Sequence, residues 1–507
     1  MTGPAAPPAA RSFELARTVS GLADTRLWRF AILVLALALR VYDLGGESVW
    51  IDEGFSIRVA QLPLPELFQA TRYDIHPPLY YVLLHFWIGW FGHSEAAVRA
   101  PSVVWGVLGV WALERLGRRL FGPSTGLIAA LLLAVSPFHV HYSQEARAYA
   151  QNLFFSLLSL TAFLSWMRSG GRRRAVSYVL ATALMVYTHS YGWLAVGAQN
   201  LAALLPWFRP LRPHGPRARE WLAWQGVLLV LFLPWLVALA GQVETVRVSF
   251  YAGAPTWLTL GGTAIGFAGS PALLALSGAA LARWLLSGLG RPVDPDAARR
   301  RAAAGFLALW VAMLLLVPFV TSNLLFPSFI RRATMGALPA WLLLVAAAIA
   351  AAGGGWLRRA VVVVMVALCG LELWSYYREV NKERWRELAA TIEREARSGD
   401  LILFNAWYPK RDAYDYYSRR TDIPKLPFPE LGQPWGTDPA ARLERLVEDR
   451  PRVWVVLSHS SDADGIIVRT LGRTRRLAWH QVYVNMSLDR SRQRDYPGIE
   501  AYRFDRR

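Results

Sequence analysis

Apolar runs approaching twenty residues recur along about three quarters of the chain, separated by short stretches rich in arginine, proline and glycine. As helices, runs of that length match the hydrocarbon thickness of a bilayer. They predict spans near 27–44, 97–116, 125–142, 151–167, 175–190, 191–208, 221–240, 268–287, 305–322, 334–352 and 360–377, about eleven in all. A further apolar stretch, "PPLYYVLLHFWIGWFG" (Pro77 to Gly92), carries Trp and Tyr and reads as a helix lying along the membrane rather than through it. Near Asn381 the pattern changes. "NKERWRELAATIEREARSGD" is a charged amphipathic helix, and "DLILF", "RVWVVLSH", "HQVYVNMSL" and "IEAYRF" read as strands.

Two domains follow. Residues 1–380 form a polytopic helical membrane domain whose first outer loop spans 45–96, and residues 381–507 form a small soluble α/β domain. The composition agrees. Of 507 residues, 54% are hydrophobic and only 18% charged, less charge than a soluble protein of this size carries. The net charge of +19 invites a nucleic-acid partner, but the arginines lie in clusters between apolar runs, as membrane topology dictates. Arg11, Arg17, Arg26 and Arg29 precede the first span, Arg115, Arg118 and Arg119 follow the second, and "RSGGRRR" follows the fourth. The later clusters fall on the same side, which the positive-inside rule makes the cytoplasm. With an odd span count the C-terminal domain lies outside, at the plasma or bacterial inner membrane. Met1 to Ser20 reads as a cytoplasmic tail, not a signal peptide. The single cysteine, Cys369, excludes a disulfide framework.

Polar residues then gather at the outer ends of spans. Directly after the first span stands "SVWIDEGFS" with Asp52 and Glu53, and the same loop holds "YDIHPP" with Asp74 and His76. The next outer segment, "SPFHVHYSQEARAYA", holds His139, His141, Gln144, Glu145, Arg147 and Tyr149. Tyr187, His189 and Tyr191 follow in "YTHSYG", and Asn323, Arg331 and Arg332 in "SNLLFPSFIRRATMGALPA". Ionisable groups at membrane depth are costly and face a cavity or a partner. Carboxylates, histidines and arginines on one face suit group transfer from a phosphate leaving group: a carboxylate takes the acceptor's proton, and guanidinium forks match phosphate oxygens. His139, His141, Glu145 and His76 make no recognised ligand spacing, so no metal and no cofactor is assigned. Trp50 and Tyr80 are aromatic faces of the kind that stack on sugars.

The first-loop "SVWIDE", "DIHPPLYY", "SQEARAY" and "IRR…LPA" together resemble the GT-C membrane glycosyltransferases, most closely the bacterial relatives of protein O-mannosyltransferases and aminoarabinose transferase. The resemblance covers roughly residues 27–377, with the motifs in order. It implies a GT-C fold and an enzyme that takes a sugar from a polyprenyl-phosphate donor and transfers it outside the cytoplasm, usually with inversion. Position by position, it implies Asp52 as general base, with Glu53 orienting the acceptor or the base. Arg147 and either Arg331 or Arg332 would contact the donor phosphate, with Tyr149 lining the same pocket and Asp74 and His76 in the loop that abuts it. Glu145 and His189, among the polar residues at the outer span ends, are taken as further substrate-binding residues of that cavity. It says little about 381–507, whose expected outer location suggests that this domain chooses the acceptor (protein, lipid or polysaccharide). The competing readings are a lipid or sugar transporter or flippase, for which Gly261-Gly262 and "TAIGFAG" would mark a broken helix, and a membrane-anchored receptor.

Overall fold

A computed structural model of the protein describes residues 8–249, 253–288, 294–352, 355–429, 438–458, 465–483 and 498–507, with side chains of the first helix from Thr25. The chain forms two compact units. One comprises residues 1–42, 68–80 and 100–373; the other comprises 43–67, 81–99 and 374–507.

The first unit is helical and apolar. Across the chain, six helices among the described residues are long and apolar enough to cross a membrane: Glu95–Phe121, Tyr149–Ser169, Ala218–Glu244, Pro295–Leu324, Arg331–Ala351 and Gly355–Arg378. Two bent pairs, Pro123–Ala134 with Pro137–Ser143 (60°) and Trp257–Ala268 with Pro271–Ser287 (85°), raise this to eight if each is one span. The expected eleven are thus not all matched by long helices. Arg172–Thr188 and Gly192–Leu204 are shorter because the chain turns at His189–Tyr191. The second bend falls at Gly269, the last residue of "TAIGFAG", within the stretch expected to mark a broken helix but past Gly261-Gly262.

The bends and turns have local causes. Pro137 cannot donate to the helix before it, so the carbonyls of Leu133 and Ala134 are left over. Arg40, fully buried, donates to both, at 3.2 and 3.1 Å. Gly170 and Gly171 join Tyr149–Ser169 to Arg172–Thr188 with φ of 57° and 88°, a left-handed turn that side chains resist. Those two helices and Gly192–Leu204 then share a polar seam in an apolar interior. Tyr178 donates to Gln199, Gln199 to Ser159, and Ser159 meets Thr182 at 2.8 Å.

In the second unit, a five-stranded sheet has the order β2-β1-β3-β5-β4, from β1 (Leu401–Phe404), β2 (Lys425–Pro427), β3 (Arg452–Leu457), β4 (Arg475–Tyr483) and β5 (Ile499–Arg506). The first three are parallel and β5 is antiparallel to β3 and β4. Alternation along the strands builds two cores. Ile402, Phe404, Trp454 and Val456 face the helix Trp385–Glu395, while Leu401, Leu403, Val453 and Val455 face the helices Pro439–Val447 and Ile466–Thr474. The part of the "HQVYVNMSL" strand beyond Tyr483 lies outside the described residues.

The sheet layer also seats the helix Ile51–Ala60. Ile51 joins the Trp385 core, and Gly54 meets the turn Lys410–Tyr414 so closely that a Cβ there would lie 1.4 Å from the Asp412 carbonyl oxygen. Only glycine permits that approach. Arg58 then pairs with Asp412 at 2.7 Å.

Candidate functional site

Each unit holds a buried polar cluster. In the first, Asp74 and His76 lie in the turn before the helix Leu79–Phe91. Arg147 approaches His76 Nε2 with a guanidinium nitrogen at 3.4 Å, and a guanidinium only donates. Nε2 therefore accepts, the proton sits on Nδ1, and Nδ1 donates to Asp74 at 3.2 Å. The result is a buried Asp–His–Arg relay that fixes the arginine by its far neighbour.

Arg147 stands in the non-helical segment 144–148 between the helices Pro137–Ser143 and Tyr149–Ser169. That segment is pinned from both sides. Gln144 donates to the carbonyls of Arg40 and Tyr42, and Ser102 donates to the carbonyl of Arg147. Glu145 accepts from His141 at 3.1 Å, and Arg147 lies over the Tyr149 ring.

His189 meets the His76 ring edge to face, 5.3 Å between centroids. Its Nδ1 accepts the Tyr191 N–H, so its proton is on Nε2. That N–H is buried and has no partner among the described residues, nor has Glu145 Oε2. Arg331 and Arg332, half-buried at the start of a 3-10 turn, place their charge within electrostatic reach of Tyr142, and Arg332 also reaches His189. The loop before them is held by Ser322, which accepts the N–H groups of Ser328 and Phe329, and by Tyr191, which donates to the Ser328 carbonyl. The structure thus brings together Asp74, His76, Arg147, Tyr149, His189 and Arg332. Tyr187 and Asn323 bond to backbone carbonyls instead, and Tyr80 is buried, without the open face expected of a sugar platform.

The second cluster lies at the start of the helix Ile51–Ala60. Its N-cap is Trp50, so Asp52 occupies the first turn rather than the cap and stays half-buried. Glu53 is wholly buried. Arg99 takes it bidentately at 2.8 and 2.7 Å, and Lys382 Nζ reaches it at 3.0 Å. The remaining Arg99 donors go to the carbonyls of Leu44, Glu47 and Ser48, so all five are used. The two adjacent carboxylates, expected to share the chemistry, sit in unlike environments: Asp52 is half-buried, and Glu53 is locked into the fold.

Reading the sequence alone missed Arg99, Lys382 and Arg40. A lone arginine near the start of the apolar run 97–116, on the end where the basic clusters do not fall, was the available signal for Arg99. Among the described residues no group of three or more His, Cys, Asp and Glu gathers as a metal site. His139 Nδ1 accepts from Arg40 at 2.6 Å, a cationic neighbour that disfavours a second positive ion.

Residues 75–238 match the model of the dolichyl-phosphate-mannose-protein mannosyltransferase family. That segment contains His76, Glu145, Arg147, Tyr149 and His189; Asp52, Glu53, Arg331 and Arg332 lie outside it. No curated protein matches the chain in sequence. Among solved structures, ArnT from Cupriavidus metallidurans in the apo state aligns with 94% of this chain and 97% of its own, at TM-score 0.56 and 13% identity. The same protein bound to undecaprenyl phosphate aligns at TM-score 0.55 and 12% identity, over 94% of this chain and 98% of its own. The archaeal oligosaccharyltransferase AglB from Archaeoglobus fulgidus, in complex with an inhibitory peptide and a dolichol-phosphate, aligns with 92% of this chain and 75% of its own, at TM-score 0.54 and 13% identity. At these identities the likeness is one of fold.

Proposed function

We propose, from the premise that this is a GT-C, protein-mannosyltransferase-like membrane glycosyltransferase, that it transfers a sugar from a polyprenyl-phosphate donor to an extracytoplasmic acceptor with inversion. The observation that carries this reading is the buried Asp74–His76–Arg147 relay with the His189 N–H beside it. It is a preorganised set of donors suited to a phosphate oxygen. ArnT bound to undecaprenyl phosphate and AglB bound to a dolichol-phosphate support a lipid phosphate as the ligand class.

In the proposed reaction the acceptor oxygen attacks the anomeric carbon and the carbon–oxygen bond to phosphate breaks. Asp52 takes the acceptor's proton. Polyprenyl phosphate leaves with its charge met by Arg147, by Arg331 or Arg332, and by the His189 N–H. Glu53 positions the helix that carries Asp52 and does not meet substrate. The positive-inside pattern supports a cytoplasmic N-terminus and an extracytoplasmic sheet domain, and the family match does not favour a transporter.

The test is transfer of labelled sugar from a panel of polyprenyl-phosphate sugars into membrane extract. Asp52→Asn is expected to lower the rate by roughly 10²–10⁴-fold, the usual weight of a general base, with folding unchanged. Equal turnover in a well-folded Asp52→Asn protein sinks the assignment of the base. No transfer by the wild type from any donor sinks the enzyme reading. We assign acceptor choice to the sheet domain. Lys382 and the turn 410–414 also hold the Asp52 helix, so substitutions on the exposed positions Leu477 and Val482 of β4 test this better than truncation. Unchanged acceptor preference in those variants counts against it.

A further inference from the structure

A cavity of about 110 Å³ opens in the first unit between the helices Pro8–Val41, Glu95–Phe121 and Pro123–Ala134. A water needs roughly 10–15 Å³ of such space, so the cavity has room for a phosphate-sized group. Its charged wall is Arg29, Arg115, Arg118 and Glu114. Glu114 is buried and taken by Arg29 at 2.8 Å, with Arg118 at 4.0 Å. Three guanidinium groups thus face one carboxylate, and the excess is positive. Arg115 rests over the Trp111 ring at 5.0 Å.

The other wall is apolar and continues outward. Ile32 and Leu33 line the cavity, and Phe30, Val34 and Leu37 on the same helix are exposed at 67%, 47% and 48%, as is Trp111 at 39%. In a chain of membrane-length helices, such a surface meets acyl chains. The cavity is separate from the candidate site: Glu114 lies twelve residues beyond Ser102, which contacts Arg147, or about 18 Å along the helix. The arginine clusters that set the positive-inside orientation include Arg29, Arg115 and Arg118, so this end belongs to the cytoplasmic leaflet, where anionic lipids interact with basic pockets.

We propose that this cavity binds the phosphate headgroup of an anionic phospholipid, with the glycerol and acyl chains running along the exposed apolar face of the helix Pro8–Val41. Glu114 keeps Arg29 in place and admits a single anion to Arg115 and Arg118. The bound lipid ties the first helix to its two neighbours and stabilises the fold from the side opposite the catalytic chemistry.

The test uses the full chain in phosphatidylcholine nanodiscs titrated with phosphatidylglycerol, reading retained lipid by native mass spectrometry and the melting temperature in parallel. Wild type is expected to retain phosphatidylglycerol and melt higher with it. Arg115→Gln with Arg118→Gln is expected to bind it on the order of 20-fold more weakly, since each basic residue near a lipid surface contributes about fivefold. Undiminished binding by this variant overturns the proposal. Leu33→Trp fills the apolar wall and keeps every arginine, so it provides a second arm if the double variant misfolds. Loss of binding there is expected, and retention means that the cavity is not the site. Inorganic phosphate that raises the wild-type melting temperature as far as the lipid does would make this a free-anion site and overturn the lipid assignment.

Discussion

The two buried charge clusters differ in what they leave over. Around Glu53, five Arg99 donors meet five acceptors and Lys382 adds a sixth contact; the network is closed. Around Arg147, the relay to His76 and Asp74 is ordered, yet the His189 Nε2–H and one Glu145 oxygen end without a partner among the described residues. Burying a polar group without a hydrogen bond costs about 1–3 kcal/mol. Under the proposed function, the groups left over beside Arg147 are the ones a ligand would meet, whereas the Arg99–Glu53–Lys382 contacts hold the fold together.

The largest way to break that contrast is to open the closed network. Arg99→Ala leaves Glu53 buried against Lys382 alone, and losing one partner of a buried pair costs about 3–5 kcal/mol. The expected result is a sharply lower melting temperature of the purified protein in detergent. Arg147→Ala is expected to do the reverse, lowering kcat/KM by roughly 10²–10³-fold as removal of a preorganised donor does, with little change in melting. Arg147→Lys should recover only part, because a point charge cannot reproduce the fork. His189→Asn keeps an acceptor for the Tyr191 N–H but moves the donor; donor-lipid affinity should fall about tenfold, the weight of a charge-assisted hydrogen bond, at nearly constant stability. Comparable melting losses in Arg99→Ala and Arg147→Ala would erase the distinction between the clusters.

The smallest effect lies in the sheet domain and sharpens the contrast by pH. Glu393 is partly desolvated, which raises a carboxyl pKa, but the N–H groups of Arg419 and Arg420 and the Ser418 hydroxyl prevail and hold it below the usual value of 4.5. A carboxyl depressed in the folded state contributes stability that is fully present above its unfolded pKa and is lost as pH falls through the folded one. The urea midpoint of the wild type should therefore decline below about pH 4.5, and Glu393→Gln should flatten that decline. An unchanged slope in the variant places the pH dependence elsewhere.

Much of this was legible in the order of residues. Apolar runs of membrane length and the short continuous apolar runs at Leu401–Phe404 and Arg452–Leu457 report the environment of each element directly, because hydrophobic patterning is a local property. The bends were less legible. Pro137 lies inside the stretch 125–142 that hydropathy reads as one span, whereas Gly269 closes the "TAIGFAG" stretch in which a break was expected. Asp74, His76 and Arg147 were visible as candidates, but the relay among them was not, since it depends on contacts 71 residues apart. Asp52 and Glu53 were both read as catalytic, one as base and one as its orienting neighbour. Their different burial on one helix, and the partners Arg99 and Lys382 of Glu53, separate them.

The bond from Glu53 to Lys382 also sets a schedule. These residues are 329 positions apart, with nearly all the membrane-length helices between them. At roughly 5–20 residues per second, Glu53 emerges from the ribosome about 15–70 seconds before Lys382 does. The turn that seats Gly54 arrives later still. The helix carrying Asp52 is therefore among the first parts made and among the last to reach its final place. A chain released early, lacking its last quarter, would insert its helices and remain without a finished first loop.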